Sequence, residues 1–348
     1  MIPAHARPAH RRLREKLAGI AEWNEGCGLN RRIDGDRRLG IIASGIATVH
    51  AREAAPGASL LQLAVTHPLP LALIREFAAS VERCVVIEEG DPILEHDLRA
   101  AGIPVEGKPE RFRFGELSVD RVRRILSGNT DPEPVPVRGK PPMLCEGCSH
   151  RSVFEVLHKL DCIVSGDIGC YTLAVLPPFE AMDTCVCMGA SIGVGLGLRH
   201  VLPPEQARRV VSVIGDSTFV HSGLTGLAEM VYNPPDTGHV VLILDNGTTA
   251  MTGAQEHPGT GRNLLHDATG RVVFEEVARA MGIPRVRVID PMADEDALEA
   301  AITDALDSGQ LAVIVARRPC ILASGKIKKY ERAIAEKRAA ECAACEAE

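Results

Sequence analysis

Short apolar runs alternate with stretches of helical periodicity along most of this chain, and that alternation restricts the fold more than any other feature. Strands separated by helices pair in parallel and need crossovers, so the expected class is α/β, with helices covering parallel sheets. The pattern occurs twice. In the first region, roughly 37–127, apolar runs at Leu39–Ser44, Ser59–Val65 and Cys84–Ile87 read as strands, with helical spacing over Pro68–Val81. In the second, 143–324, strands are expected at Cys162–Ser165, Val210–Ile214, Val240–Leu244, Val286–Ile289 and Ala312–Ala316. Helices are expected there at Ser149–Leu160, Ser191–Val201, Leu224–Tyr232, Val272–Met281 and Glu295–Leu306. Between the regions, Ser127–Pro142 carries five prolines and almost no large apolar residue. Such a segment is an extended spacer and a natural domain boundary, placed at 128–142. Residues 1–36 read as a polar helix and a loop, and 325–348 as a charged, Ala-rich helix. The expectation is two doubly wound parallel-sheet domains, in line with a length of 348 residues.

Composition removes several function classes. A net charge of -7 gives no nucleic-acid footprint. No apolar stretch reaches the roughly 18–20 residues that span a bilayer. The basic N-terminus lacks an apolar core, so it is not a secretory signal, and the spacing of Leu13, Leu17 and Ile20 favours an ordinary surface helix over a transit peptide. A cytoplasmic location is therefore expected. Eleven cysteines without a secretory signal argue against a disulfide framework. Two CxxC pairs, Cys145/Cys148 and Cys342/Cys345, point instead to metal or redox chemistry.

The strongest local signal is an apolar strand running directly into Gly215-Asp216-Ser217. A carboxylate there is aimed into the crevice at the carboxyl end of a parallel sheet, and Gly215 leaves room for a phosphate or metal to approach the backbone. The next expected strand ends in Asp245-Asn246-Gly247-Thr248. Neighbouring strand ends would set Asp216 and Asn246 side by side as hard oxygen ligands of the kind Mg²⁺ takes together with phosphate oxygens. A single Gly-Asp-Ser after a strand is as often a plain turn; the paired strand ends are the more specific feature. Gly193, Gly195 and Gly197 follow no strand, so they read as close helix packing rather than a dinucleotide fingerprint. Glu88, Glu89 and Asp91 follow the third strand, where a solvated acidic strand end outweighs a ligand site.

These strand ends resemble those of thiamine-diphosphate enzymes, in which Gly-Asp-Gly is followed at similar spacing by Asn. Ser217 replaces the third-position Gly. The resemblance implies that Asp216, Asn246 and the Thr248 carbonyl hold Mg²⁺ and that Gly215, Ser217 and Gly189 adjoin the cofactor. It also implies that Met188 is the bulky apolar residue that keeps the cofactor bent; on spacing alone Met188 is as easily a core methionine. The cysteines extend the comparison. Cys145 and Cys148, then Cys170 in Gly166-Asp167-Ile168-Gly169-Cys170, then Cys320 in Arg317-Arg318-Pro319-Cys320 would suit a tetrahedral Zn²⁺ or a [4Fe–4S] cluster. Spacing alone favours structural zinc or unligated thiols. The strings CEGCSHR, GDIGCYTL, CMGAS, GDSTFVHSG, LDNGTTAMTG and ARRPC are, however, similar to the 2-oxoacid:ferredoxin oxidoreductases of indolepyruvate type, whose cluster ligands fall at these four cysteines. The first region resembles the middle domain of those subunits, of transketolase C-terminal type.

That resemblance implies oxidative decarboxylation of a 2-oxoacid with coenzyme A as acyl acceptor and ferredoxin as electron acceptor. His150, Arg151, His221 and Thr249 are candidates to steer substrate, with His150 and His221 the candidate catalytic histidines; a surface or internally satisfied histidine is at least as good a reading for each. Two parts of the resembled subunit have no counterpart here. The stretch before Leu39 is too short for the pyrimidine-binding domain and its activating Glu, and only Cys342 and Cys345 correspond to the ferredoxin-like end. Nothing but charge recommends Glu88 or Glu89 as a substitute. The chain is therefore expected to work with a chain supplying the pyrimidine-binding domain and with a beta- or gamma-type subunit. A non-oxidative thiamine-diphosphate 2-oxoacid decarboxylase subunit and a catalytically inactive orphan subunit are the competing expectations.

Overall fold

A computed structural model describes residues 2–133 and 139–345, with side chains as far as 336. The middle of the proline-rich segment, 134–138, and the side chains of Cys342 and Cys345 lie outside the described residues. The chain divides into two compact units, Met1–Val137 and Arg138–Glu348.

In the first unit, strands β1 (Arg31–Ile33), β2 (Asp36–Ser44), β3 (Ala58–Leu63) and β4 (Cys84–Ile87) form a four-stranded sheet in the order β1-β3-β2-β4. β2 runs parallel to β3 and β4, and β1 pairs antiparallel with β3 at the edge. β1 falls where the sequence reads as loop: it is short, wholly exposed and lacks apolar alternation. Side chains of β2 alternate between two cores. Ile41 and Ala43 pack with Phe112, Val122 and Ile125, while Ile42 packs with Ile74, Phe77 and Leu98. The helix Val119–Ser127 shows why its ends fall where they do: Ser118 Oγ accepts from the Arg121 amide at 3.2 Å, and Gly128 takes a left-handed φ of 71°.

Glu88 corrects the reading of a solvated acidic strand end. It is buried, and its carboxylate accepts from the amides of Leu94 (2.8 Å) and Glu95 (3.0 Å), capping the helix Ile93–Ala100. Its carbonyl accepts from the buried ammonium of Lys108. Glu89 is exposed but accepts from the Leu117 amide at 3.1 Å. Of the three acids, Asp91 alone is simply a solvated one.

In the second unit, β5 (Ile163–Gly166), β6 (Thr184–Cys185), β7 (Val210–Gly215), β8 (His239–Asp245), β9 (Arg285–Ile289) and β10 (Leu311–Arg317) form a six-stranded parallel sheet, ordered β6-β5-β7-β8-β10-β9. Every residue of β7 and β8 is buried, as strands covered on both faces require. Val240, Leu242 and Leu244 face one core, and Val241 and Ile243 the other. The chain leaves β5 toward β6 on one side and returns to β7 on the other. This change of direction opens a crevice at the carboxyl ends of β5 and β7.

The helix Ala190–Val201 lies against this sheet through Gly195. A Cβ there would stand 2.2 Å from Ser212 Oγ and 2.9 Å from His239 Cε1. Gly193 and Gly197 have nothing within 4 Å, so close packing explains only one of the three glycines. Below the contact, Ser212 Oγ lies 2.8 Å from His239 Nε2 and donates to the Ser191 carbonyl at 2.9 Å. The buried Arg199 guanidinium donates to the carbonyls of Val210 (2.7 Å) and Thr237 (2.8 Å).

Two outcomes follow from this packing. Gly195→Ala should destabilise the unit by ~1–3 kcal/mol through overpacking, whereas Gly193→Ala should be neutral or stabilising by ~0.5–1 kcal/mol; urea unfolding of both variants checks the contrast. His239 is held well below its ordinary value of 6.5, first by burial and then by Arg199 and His200. Its ring stays neutral in the folded chain, while the unfolded chain binds a proton as the pH falls through 6.5. Stability should therefore fall on acidification from about pH 7.5 to about pH 5.5, and the drop should shrink in His239→Gln, measured as the urea midpoint at each pH.

Candidate active site in the second unit

Asp216 follows β7 directly and is 3% exposed. Its Oδ1 accepts from the Ser217 amide at 2.8 Å, and its Oδ2 from the amides of Gly247 (2.8 Å) and Asn246 (3.1 Å). One carboxylate thus ties the end of β7 to the loop after β8. In that loop Asn246 Oδ1 accepts from the Thr248 amide at 3.1 Å, and Asn246 Nδ2 lies 3.3 Å from His150 Nε2. Thr249 Oγ1 donates to Ser217 Oγ at 2.8 Å. Asp216, Ser217, Asn246, Thr248, Met188 and His150 line one cleft of about 630 Å³. The cleft brings hard oxygen ligands from two adjacent strand ends together, which is the ligand chemistry that Mg²⁺ requires.

Met188 is 41% exposed on the cleft wall and is not a core residue. The turn that follows it is held by Asp167, which follows β5 and is fully buried. Asp167 Oδ1 accepts from the Ile168 amide (2.8 Å) and the Gly189 amide (2.9 Å), and Oδ2 accepts from Ser191 (3.0 Å). Gly189 has a φ of 86°, and a Cβ there would meet Ser222 Oγ at 2.0 Å. Gly215 has a different neighbour from the phosphate that its position suggested. A Cβ on Gly215 would stand 2.7 Å from the Tyr171 ring, so the glycine admits Tyr171, which also lines the cleft.

A second cleft of about 690 Å³ is lined by Cys145, Cys148, Cys170 and Cys320. Gly147, at φ 73°, turns the chain so that the Cys148 amide donates to the Cys145 carbonyl at 3.2 Å, and the helix Ser149–Lys159 starts immediately afterwards. The Cys320 amide donates to the Asn246 carbonyl at 2.9 Å. Arg317, at the end of β10, holds that strand end to Asp245 Oδ2 at 2.6 Å and to Glu275 Oε2 at 2.7 Å. Burial raises the Cys148 and Cys170 thiols, and the neighbouring thiols raise them further. Among the described residues, no three His, Cys, Asp or Glu side chains converge closely enough to hold a single metal ion. The thiols ring a cleft rather than a point.

The two clefts share His150, Cys170, Asn246 and Ala250. Burial lowers His150 to about 4, against the pull of Asp216, so its ring is neutral near pH 7. His221 does not join them: it is exposed, lies 3.0 Å from Ser222 Oγ, and lines neither cleft. Arg151 is committed to the fold, donating to the Leu144 carbonyl at 3.2 Å with its guanidinium over the Phe179 ring. Asp167, Tyr171 and His257 were not singled out from the sequence. Asp167 repeats the strand–Gly–Asp signal and could have been found by it; His257 sits in an aperiodic loop that gives no signal.

Comparison with known proteins accords with this geometry. Residues 167–316 match the family described as thiamine pyrophosphate enzyme, C-terminal TPP binding domain. The indolepyruvate oxidoreductase subunit IorA of Archaeoglobus fulgidus is 34% identical over 99% of this chain and 59% of its own length. The IorA subunit of Pyrococcus abyssi is 36% identical over 92% of this chain and 55% of its own. The chain thus spans somewhat over half the length of these relatives. Among solved structures, a 2-oxoglutarate:ferredoxin oxidoreductase from Magnetococcus marinus overlaps 53% of this chain and 66% of its own at 16% identity, with a TM-score of 0.43. Among the described residues no helix is long and apolar enough to cross a membrane. Residues 167–316 of the second unit are thus similar to the TPP-binding domain of thiamine pyrophosphate enzymes, and nearly the whole chain is similar to IorA subunits of indolepyruvate oxidoreductase.

Proposed function

We propose that this chain is the thiamine-diphosphate-binding part of a 2-oxoacid:ferredoxin oxidoreductase of indolepyruvate type, acting in a multi-chain complex that forms an acyl-CoA. The observation that carries this reading is the common wall of the two clefts. A cleft with Mg²⁺-type oxygen ligands abuts a cleft ringed by four cysteines, with His150 and Asn246 between them. A non-oxidative decarboxylase has no use for the second cleft.

In this reading Asp216, the Asn246 side chain and the Thr248 carbonyl hold Mg²⁺, while Gly189 and Ser217 adjoin the diphosphate. When bound, thiamine diphosphate supplies the nucleophilic carbon and the electron sink for loss of CO₂. Met188 supports the bent cofactor from the cleft wall. His150, neutral near pH 7, offers a hydrogen-bonding nitrogen without placing a cation beside Asp216. In this reading Cys145, Cys148, Cys170 and Cys320, which line the second cleft, hold a [4Fe–4S] cluster.

Asp216 is the only carboxylate lining the first cleft among the described residues. Glu88 and Glu89 are both committed to backbone amides. In this reading the acid that activates the cofactor, worth about 10²–10⁴-fold in rate, comes from outside the described residues, with the pyrimidine-binding domain. Ferredoxin, coenzyme A and the 2-oxoacid complete the partners, and a cytoplasmic setting suits all of them.

Two measurements test this. Asp216→Ala should abolish Mg²⁺-dependent binding of thiamine diphosphate by calorimetry; unchanged affinity would remove the metal assignment. Anaerobically purified chain should contain about four irons and four acid-labile sulfides, and Cys170→Ser should lower both. Full iron in that variant would exclude Cys170 as a ligand, and zinc or no metal in the parent chain would favour the non-oxidative or orphan-subunit alternative.

A further inference from the structure

His257 is buried, yet it lines neither cleft. Its Nδ1 accepts from the Gly259 amide at 3.1 Å. A ring nitrogen that accepts carries no proton, so the neutral ring bears its hydrogen on Nε2. That Nε2 has no in-line hydrogen-bond partner among the described residues. It lies 3.2 Å from Asp216 Oδ2. A buried donor thus stands beside the carboxylate that anchors the first cleft.

The loop bearing His257 is fastened to the same strand ends. The Gln255 carbonyl accepts from Thr248 Oγ1 at 3.1 Å and from the Thr249 amide at 3.0 Å. Arg262 pairs with Glu256 at 2.9 Å, with both side chains almost fully buried, and Arg262 Nη2 reaches the Gly247 carbonyl at 3.4 Å. Ala254 takes a left-handed φ of 59°, a conformation the surrounding contacts must hold. Gly259 cannot bear a Cβ, which would lie 2.4 Å from the Phe274 ring, so the amide that fixes the His257 tautomer is itself fixed by packing.

We propose that His257 is a positioning residue for Asp216: its Nε2–H, fixed by the Gly259 amide, engages Oδ2 and leaves Oδ1 to meet the divalent cation. This rests on the metal assignment proposed above. Ligating groups are commonly oriented in this way by an outer hydrogen-bonding partner, and loss of that partner costs about 10–100-fold in metal affinity.

The test uses the full chain and three variants. His257→Phe keeps the ring and removes the donor, His257→Gln restores an N–H at similar reach, and Asp216→Ala is the control. Calorimetry would measure the Mg²⁺ concentration that half-saturates thiamine diphosphate binding, and separately the cofactor affinity at saturating Mg²⁺. His257→Phe should raise the required Mg²⁺ about tenfold and leave the second quantity within about threefold, with His257→Gln recovering most of the loss. Equal defects in Phe and Gln variants, or no defect in either, would overturn the proposal. Imidazole ¹⁵N shifts of the wild-type chain give a readout free of any variant: His257 should be the neutral Nε2–H tautomer, and finding the Nδ1–H form would overturn it equally. Failure of the wild type itself to bind Mg²⁺ and cofactor would bring down the underlying metal assignment, a different result from wild-type binding with His257 variants unaffected.

Discussion

The second unit depends on how it satisfies two buried carboxylates. Taking a carboxylate out of water costs several kcal/mol unless hydrogen bonds replace its hydration. Asp167 and Asp216 stand at the ends of the adjacent strands β5 and β7, each after a glycine, on either side of the sheet's change of direction. Both are satisfied by backbone amides, but differently. Asp167 is engaged on both oxygens by the turn that leads into the helix Ala190–Val201, and it does not line the cleft. Asp216 concentrates its bonds on Oδ2, keeps only the adjacent Ser217 amide on Oδ1, and lines the cleft. One strand–Gly–Asp pattern therefore supplies an anchor in one place and leaves ligating capacity in the other.

The anchor and the cleft are mechanically continuous. Asp167 fixes the Gly189 amide, and Gly189 follows Met188 on the cleft wall. The loop after β8 is fixed by Asp216 on one side and by the Gln255 carbonyl on the other. The same Asn246 whose amide meets Asp216 accepts from the Cys320 amide through its carbonyl. A change at one cleft consequently acts on groups that the other shares, and substitutions at Asn246, His150 and Cys170 should not be energetically independent.

The strands that determine the fold were legible because parallel strands covered on both faces read as continuous apolar runs; Val210–Ile214 and Val240–Leu244 fall within a residue of the observed β7 and β8. β1 and β6 were not legible: one is three exposed residues, the other two residues at a sheet edge. The Asp216–Asn246 pair could be read because adjacent parallel strands bring consecutive strand ends together without any detailed packing. The four cysteines are distant in sequence, and spacing alone could not gather them; the family resemblance proposed the group that the fold collects in one cleft. The cap formed by Glu88 and the placement of His221 were not legible for the opposite reason. A strand-end acid and a loop histidine look alike in sequence whether they cap a helix, face solvent or face a site, and only the three-dimensional partners distinguish these cases.

His150 illustrates what burial adds that sequence cannot supply. A cationic imidazole between Asp216 and the cysteine cleft would favour the carboxylate and thiolate charges there, and the ring would then compete with a metal for Asp216. Burial lowers the ring to about 4 and outweighs the attraction of Asp216, so near pH 7 the wall between the clefts carries no charge from His150. A neutral ring has one accepting nitrogen, and Asn246 Nδ2 lies 3.3 Å from Nε2. With its amino group turned to His150, Asn246 directs Oδ1 toward the Thr248 amide and the loop that the cation is proposed to occupy. The Thr248 amide, by donating to Oδ1, fixes the orientation of the Asn246 side chain and leaves Nδ2 facing His150 Nε2.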